Sequence, residues 1–333
     1  MTNMKEWARK VIETPQVQTI PVMTHPGIDI IGANVRRAVT DGQTHYECVQ
    51  ALANKYPTAA ASVIMDLTTE AEAFGATIHF SDDAVPAVLG HMLNDGDDIR
   101  ALKVPSLSAG RVPQYLKANV LAARNITDRP VFAGCIGPFS LAGRLYDMSG
   151  IMMLIFEDPE SADILLQKCT DFILKYVKAI KKTGVNGVLM AEPAAGLMSN
   201  DDCKRFSSQY VKQIIDAVQD EHFMVCLHNC GNTGHCTEAM IVTGANAIHL
   251  GNKCDMLDIL RDTPADILCM GNIDPVSVFK EGTPEQMYEK TTALLKATAE
   301  YKNFVLSSGC DTPPNTPEAN IDAFFKALSD YNA

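Results

Sequence analysis

The segment FMVCLHNCGN, residues 223–232, places a histidine and a cysteine two positions apart in a run of strand-forming residues. Side chains alternate along an extended strand, so His228 and Cys230 point to the same side, about 6–7 Å apart along the strand. Imidazole nitrogen and thiolate sulfur are both ligands of zinc. The spacing therefore allows His228 and Cys230 to bind one metal ion.

A third candidate ligand, Cys310, follows the apolar run of residues 303–309 and precedes a turn-rich Asp-Thr-Pro-Pro-Asn segment. The apolar run predicts another strand. One histidine and two cysteines leave the fourth zinc position open, which is typical of catalytic sites, whereas structural sites usually have four protein ligands. Cysteines are also often inert core residues. Because Cys310 is remote in sequence from Cys230, spacing alone does not decide between a zinc site and core packing.

Two carboxylates also follow apolar runs that predict strands. Glu192 comes directly after VLMA and before Pro193, where it either provides a fourth zinc ligand, caps a helix or lies in solvent. Asp66 ends the run VIM, where it either binds substrate or caps the following helix. These alternatives stay open from the sequence. We predict catalytic roles for Glu192 and Asp66.

Further residues at strand ends are candidates for binding. In GCIGPFSLAG, Gly137 brings the backbone close to the predicted pocket, where amides can meet a ligand. Asn272 and Asp274 in MGNIDP, and His249 in NAIHLGNK, also end predicted strands. We expect Gly137, Asn272 and Asp274 to contact a cofactor bound at the strand ends, and His249 to line the same pocket.

Eight short β-rich runs, most followed by a helical pattern, indicate how these residues are positioned. They are residues 19–24, 62–66, 131–136, 187–191, 223–228, 247–250, 267–272 and 304–308. Alternating strands and helices form parallel βα units, and eight units predict an α/β fold, a (β/α)8 TIM barrel with its active site at the carboxyl ends of the strands. The candidate residues fall at those ends.

Two stretches exceed a minimal barrel. Residues 1–18 predict an N-terminal helical extension, and residues 74–112 predict an insertion between the second and third strands. The sequence shows no linker, low-complexity segment or internal repeat beyond the βα alternation. We therefore predict a single domain over residues 1–333.

The charge of the chain excludes some classes of partner. A net charge of −12 and a pI near 5.1 argue against binding to nucleic acid or an anionic membrane, which requires clusters of lysine and arginine. The N-terminus lacks the pattern of a signal peptide, and the apolar run at residues 151–156 is far shorter than the about 20 residues that span a bilayer. We expect a cytoplasmic protein. Its ten cysteines then fit reduced thiols or metal ligands better than disulfides.

Four segments carry a resemblance to a known family: DLTTEAEAFGATIHF at residues 66–80, GPFSLAG at 137–143, HNCGN at 228–232 and SSGCDTPPNTPEAN at 307–320. With these segments the chain resembles the uroporphyrinogen decarboxylase superfamily, and more closely its methylcobalamin:coenzyme M methyltransferase branch. The resemblance implies zinc bound by His228, Cys230 and Cys310. It also implies transfer of a methyl group from a methylated corrinoid to a thiol such as coenzyme M.

Two other functions remain open at this point. A tetrapyrrole decarboxylase is less favoured, because the arginine-rich signature of that branch has no clear counterpart beyond Arg36 and Arg37, and because it needs no metal. The other alternative is a non-catalytic barrel that binds a corrinoid or its carrier protein. The sequence contains no Asp-x-His-x-x-Gly segment, through which corrinoid-binding domains offer a histidine to cobalt. We therefore expect a separate corrinoid carrier protein as partner and a small thiol as substrate.

Overall fold

The computed structural model describes residues 2–333, and a parallel sheet lies at its centre. The strands are β1 (Ala61–Ser62), β2 (Ile78–His79), β3 (Ala87–Val88), β4 (Val131–Ile136), β5 (Gly187–Ala191), β6 (Met224–Asn229), β7 (Ala247–Leu250), β8 (Leu268–Ile273) and β9 (Phe304–Ser308). Seven of them form a parallel sheet in the order β1-β4-β5-β6-β7-β8-β9, and β2 pairs with β3 in an antiparallel hairpin. The α/β fold predicted from the alternation of strands and helices is confirmed.

Helices follow most of the strands and cover the sheet. They are α1 (Met4–Glu13), α2 (Pro26–Ile30), α3 (Val35–Thr40), α4 (Gly42–Lys55), α5 (Thr69–Phe74), α6 (Gly96–Ala101), α7 (Val112–Asn125), α8 (Pro138–Tyr146), α9 (Met148–Glu157), α10 (Pro159–Lys182), α11 (Asn200–Cys203), α12 (Gln209–Val218), α13 (Thr237–Ile241), α14 (Met256–Asp262), α15 (Pro284–Ala297) and α16 (Glu318–Asn332). Short 3₁₀ or π turns occur at Pro193–Leu197, Lys204–Ser208 and Pro275–Lys280. Within residues 2–333 no single helix is long and apolar enough to cross a membrane; α8 and α9 pass that test only as a pair, bent by 106°.

The predicted first strand, residues 19–24, is not a strand in the structure. A single bridge joins Thr19 to Leu306 of β9, and Ile20 N–H donates to the same Leu306 carbonyl at 3.0 Å. On the opposite side of the segment, which faces β1, Pro21 has no N–H to form a ladder hydrogen bond. The predicted eight-stranded TIM barrel is therefore not confirmed; the structure has a curled sheet of seven parallel strands. The segment still lies between the sheet edges, because Ala59 N–H, just before β1, donates to the Thr19 carbonyl at 2.9 Å.

Strand β1 is shorter than the predicted run of residues 62–66. Val63 N–H still donates to the Phe132 carbonyl of β4 at 2.9 Å. The next amide, that of Ile64, donates instead to Nε2 of the buried His45 ring at 2.9 Å. The His45 side chain of α4 thus takes the place of a backbone acceptor from a neighbouring strand. Residues 63–66 continue toward the carboxyl end of the sheet as irregular backbone.

Apolar side chains fill the inside of the curled sheet. Helix α1 buries Met4, Ala8 and Val11 against it, and Trp7 stacks at an angle on Phe132 with ring centroids 6.0 Å apart. Apolar contacts of this kind provide most of the free energy that holds a helix on a domain. A small apolar cavity, lined by Trp7 and by residues near the amino ends of the strands, lies at this end of the sheet.

The stretch predicted as an insertion, residues 74–112, contains the β2–β3 hairpin and α6 between α5 and α7. That residues 74–112 are an insertion into a minimal barrel remains a prediction. One of its last residues, Arg111, reaches back into the polar residues that follow β1. This region therefore contributes a side chain near the carboxyl end of the sheet.

Candidate metal centre

His228, Cys230 and Cys310 meet at the carboxyl ends of β6 and β9. One ligand atom of each residue lies within 4.8 Å of the other two, and within residues 2–333 no other group of this kind occurs. Cys310 Sγ is 3.5 Å from His228 Nε2. Sulfur and nitrogen ligands of one tetrahedral zinc, bonded at near 2.3 and 2.1 Å, are about 3.6 Å apart. The donor atoms and their spacing therefore fit zinc.

The local sequence explains how the three side chains converge. His228 is in register with Ala191 of β5 and His249 of β7, so strands on both sides fix its position. At the end of β6, Asn229 Oδ1 accepts hydrogen bonds from the amides of Gly231 and Asn232 at 3.1 and 3.0 Å. This Asx-type turn presents Cys230 beside the strand end.

Cys310 depends on the glycine that precedes it. A Cβ atom on Gly309 would lie 2.6 Å from the Asn252 amide nitrogen of the loop after β7. Only glycine permits this close approach. The end of β9 can therefore pass the β7 loop and place Cys310 next to His228.

The two cysteine thiols interact with each other. Both residues are half-buried, and their hydrogen bond lowers the pKa of Cys230 and raises the pKa of Cys310. Lys253 also lowers the pKa of Cys230. The arrangement therefore favours the thiolate of Cys230 over that of Cys310, and a bound cation would favour ionisation of both thiols.

The other ring nitrogen of His228 is bound within the protein. His228 Nδ1 lies 2.7 Å from Nδ1 of His249, which the sequence predicted to line the pocket. Both rings are buried, and burial holds the pKa of His249 well below its usual value. His249 is therefore neutral, and it fixes His228 with Nε2 facing the cysteines.

Sequence reasoning missed a second anchor beside the cluster. Asp311, the residue after Cys310, accepts hydrogen bonds from Thr24 and contacts His25 Nδ1 at 2.9 Å. Burial opposes the charged form of His25, but the nearby carboxylates, Asp311 above all, together raise the pKa of His25. This pair ties the segment before α2 to the Cys310 loop. The only signal in the sequence is a carboxylate next to a candidate ligand.

Glu192 follows β5 directly, as predicted, but its carboxylate points to α8. Glu192 N–H donates to the His228 carbonyl at 2.8 Å, whereas Oε1 accepts from the amide of Phe139 at 2.8 Å. Oε2 accepts from Ser140 N–H and Oγ, both at 3.2 Å. The carboxylate thus binds the amino end of α8 and is not part of the three-ligand cluster. Burial raises the pKa of Glu192 to about 8.

Asp66 lies on the irregular backbone after β1, in a buried polar network. Its carboxylate forms an ion pair with Arg111 and accepts hydrogen bonds from Tyr115 at 3.1 Å and from Thr68 Oγ1 at 2.6 Å. Arg111 also binds Glu72 at 2.5 Å. Arg111 was missed from the sequence, because 45 residues separate it from Asp66.

Gly137, Asn272 and Asp274 are each engaged by neighbouring backbone or side chains. Gly137 N–H donates to the Ala191 carbonyl at 2.7 Å, at the point where α8 begins. Asn272 donates to two carbonyls of the loop after β7, at 2.9 Å each. Asp274 accepts from two amides of the following turn and from Asn252 at 2.8 Å. The structure places Asn272 and Asp274 around one loop and Gly137 beside Glu192.

Fold and site together define an α/β protein with a candidate metal-ligand set of one histidine and two cysteines at the carboxyl ends of parallel strands. The model of the uroporphyrinogen decarboxylase (URO-D) family matches residues 9–331, and the chain belongs to this family. The resemblance inferred from four short segments is confirmed.

Similar proteins separate into two groups by name. Over 276 residues the chain is 31% identical to proteins named methylcobamide:CoM methyltransferase MtbA from Methanosarcina acetivorans and Methanosarcina mazei, with 82% of this chain and 80% of each relative covered. It is 24% identical over 286 residues to the uroporphyrinogen decarboxylase of Edwardsiella ictaluri, with 82% and 79% covered. The methyltransferases are thus the more similar of these relatives.

Solved structures support the fold. A methyltransferase from Methanosarcina mazei superposes with a TM-score of 0.89 at 21% identity, covering 100% of both chains. A B12-independent methionine synthase from Shewanella superposes with a TM-score of 0.55 at 14% identity, covering 94% of both chains. At these identities the likeness concerns the arrangement of strands and helices.

Proposed function

We propose that this protein is a zinc-dependent methyltransferase that moves a methyl group from a methylated corrinoid to a thiol such as coenzyme M. The observation that carries the proposal is the convergence of His228, Cys230 and Cys310 with ligand atoms at zinc-like spacing. The names of the most similar relatives above support the same reaction. A decarboxylase of the same family gives no reason for this ligand set.

The ligand types determine the chemistry of the centre. Cys230 and Cys310 supply two thiolates and His228 a neutral nitrogen, so the protein ligands balance the charge of a divalent ion and leave one position for substrate. When bound there, zinc would stabilise the thiolate form of the acceptor thiol. In the methyl transfer, the sulfur–carbon bond forms as the cobalt–carbon bond breaks, and the electron pair of the broken bond stays on cobalt.

Glu192 and Asp66 are the proposed catalytic carboxylates. A pKa of about 8 lets Glu192 exchange a proton near neutral pH. Its backbone N–H also donates a hydrogen bond to the carbonyl of His228. We propose that Glu192 ionises and leaves the amides of α8, and that its carboxylate then receives the proton of the acceptor thiol or fills or guards the fourth ligand position until the thiol binds. Asp66, paired with Arg111, is proposed to contact substrate.

The remaining assignments extend the same proposal. We propose that Gly137, Asn272 and Asp274 line the corrinoid-facing side of the site, and that residues 1–333 form one domain. The methyl donor would be a separate corrinoid carrier protein, and the net charge of −12 would favour a partner with local positive charge. Location in the cytoplasm stays a prediction from the sequence.

The proposal is tested by zinc content and methyl transfer in matched cysteine variants. Cys230→Ala and Cys310→Ala are compared with the control Cys226→Ala. Cys226 is a buried cysteine of β6 that contacts Met270 instead of the cluster. Each protein is loaded with zinc, dialysed and assayed for demethylation of methylcobalamin with several thiols. We expect the first two variants to lose zinc and activity and Cys226→Ala to keep both.

Two results would contradict the proposal. One is a full equivalent of zinc retained by folded Cys230→Ala and Cys310→Ala. The other is a zinc-loaded wild-type protein that demethylates neither free methylcobalamin nor a methylated corrinoid protein with any thiol tested.

A further inference from the structure

A chain of hydrogen bonds leads from the candidate metal ligand across the sheet. His228 Nδ1 lies 2.7 Å from His249 Nδ1 on the neighbouring strand β7. His249 Nε2 lies 2.8 Å from Ser307 Oγ on β9. Ser307 Oγ donates to the Ile20 carbonyl at 2.8 Å, in the segment between the two edges of the sheet. All four residues are buried.

The direction of each hydrogen bond follows from the last acceptor. A carbonyl oxygen can only accept, so the single hydroxyl proton of Ser307 points to Ile20. Ser307 Oγ must then accept a proton from His249 Nε2, which leaves a lone pair on His249 Nδ1. That lone pair accepts from His228 Nδ1–H. His228 Nε2 consequently carries a lone pair, and this is the atom 3.5 Å from Cys310 Sγ.

The reverse arrangement is unfavourable. If Ser307 donated to His249 Nε2, its oxygen would face the Ile20 carbonyl at 2.8 Å without a proton between them. His249 would then donate to His228 Nδ1, and His228 Nε2 would carry a proton directed at the cysteines. An unpaired buried carbonyl costs about 1–3 kcal/mol. The network therefore selects the tautomer of His228 that can bind a metal.

We infer that His249 and Ser307 are positioning residues that hold His228 in its metal-binding tautomer and orientation. The inference rests on the zinc site proposed above. The histidine ligands of metal sites commonly donate their second N–H to a carboxylate, carbonyl or water. Here the acceptor is a neutral imidazole, so His228 stays a neutral ligand and the two cysteines supply all the negative charge.

The experiment measures zinc affinity and histidine tautomers in the full-length chain. Apparent zinc dissociation constants are determined by competition with a chromophoric chelator for wild type, His249→Leu, His249→Asn and Ser307→Ala. Long-range ¹H–¹⁵N spectra of the zinc-free wild-type protein identify which nitrogen of His228 carries the proton. His45→Leu serves as control, because it removes another buried histidine that binds a backbone amide and is outside the cluster.

We expect His249→Leu to weaken zinc binding about 10- to 100-fold, the usual effect of losing such a partner. His249→Asn should recover most of this loss, because its Oδ1 can accept from His228 Nδ1–H. Ser307→Ala should lose less than His249→Leu, and His45→Leu should bind zinc as wild type does. The zinc-free protein should show a proton on Nδ1 of His228.

The inference and the proposed function fail in different ways. A folded His249→Leu protein with wild-type zinc affinity, or a zinc-free wild type with the proton on His228 Nε2, would overturn the positioning role. A wild-type protein that binds no zinc but keeps the proton on His228 Nδ1 would overturn the proposed function and leave the tautomer assignment intact.

Discussion

The buried carboxyl group of Glu70 should make the stability of the protein fall as the pH rises. Glu70 lies on α5 and is 1% exposed; its Oε1 accepts from the Ile136 amide at 3.0 Å. Its Oε2 is buried and has no hydrogen-bond partner within residues 2–333. Burial raises the pKa of Glu70 from 4.5 to about 7. The folded protein therefore binds one more proton than the unfolded chain between these values.

The sign and size of the effect follow from this proton. Because the folded state binds it and the unfolded state does not, the free energy of unfolding decreases with pH by up to about 1.4 kcal/mol per pH unit for this group. The stability contributed by the protonated group is complete below about pH 4.5 and lost above about pH 7. The difference in pKa corresponds to a total of about 3 kcal/mol.

Glu70→Gln tests this reasoning, because glutamine resembles the protonated carboxyl group and cannot ionise. We expect the variant to match wild type in free energy of unfolding near pH 5 and to exceed it by about 2–3 kcal/mol near pH 8. Urea denaturation at several pH values measures the difference. Glu289→Gln, on the exposed side of α15, should change neither stability nor its pH dependence.

Two outcomes would refute the account of Glu70. One is a wild-type and a Glu70→Gln protein whose free energies of unfolding keep a constant difference from about pH 5 to about pH 8. The other is a Glu70→Gln protein that is less stable than wild type near pH 8. Either result would mean that burial does not raise the pKa of this carboxyl group in the folded protein.

Two further substitutions probe the polar contacts near the site. Arg111→Ala leaves the buried carboxylate of Asp66 without its cation, so the free energy of unfolding measured with urea should fall by about 3–5 kcal/mol. Arg36→Ala breaks an exposed ion pair and should lower it by less than about 1 kcal/mol. Equal effects of the two substitutions would contradict the burial argument. Gly137→Ala should destabilise the protein by about 1–3 kcal/mol in thermal unfolding, because the added Cβ would lie 2.1 Å from Glu192 Oε1; unchanged stability would show that the carboxylate can move away.

The sequence predicted the metal cluster because its geometry depends on two local rules. Alternation along a strand places His228 and Cys230 on one side, and parallel strands end at a common edge, which brings in Cys310. The structure brings these three side chains together. These rules left zinc binding and core packing open for the three residues, and the resemblance carried by the HNCGN and SSGC segments is what implied a metal site.

The contacts of the two carboxylates could not be predicted in the same way. Glu192 follows β5 as predicted, whereas Asp66 lies on irregular backbone beyond β1, and the partners of both come from other parts of the chain. The amide of Phe139 reaches Glu192 only because β4 and β5 pair in a particular register. Arg111 reaches Asp66 from the end of a long irregular segment. Tertiary contacts of this type leave no periodic signal in a sequence.

The errors in the strands have similar causes. The run of residues 19–24 is β-rich, but Pro21 interrupts its hydrogen bonding and only one bridge forms at Thr19. The run of residues 62–66 loses its ladder where His45 binds the Ile64 amide. The proline is visible in the sequence, whereas the contact of His45 with the Ile64 amide is not.

The most direct test of the proposed chemistry is X-ray absorption at the zinc edge of the purified protein, before and after addition of coenzyme M. His228, Cys230 and Cys310 predict two sulfur ligands together with nitrogen or oxygen in the first state, and three sulfur ligands once the thiol is bound. An unchanged spectrum on addition of thiol, or a first state without two sulfur ligands, would contradict a zinc centre that binds and activates the methyl acceptor.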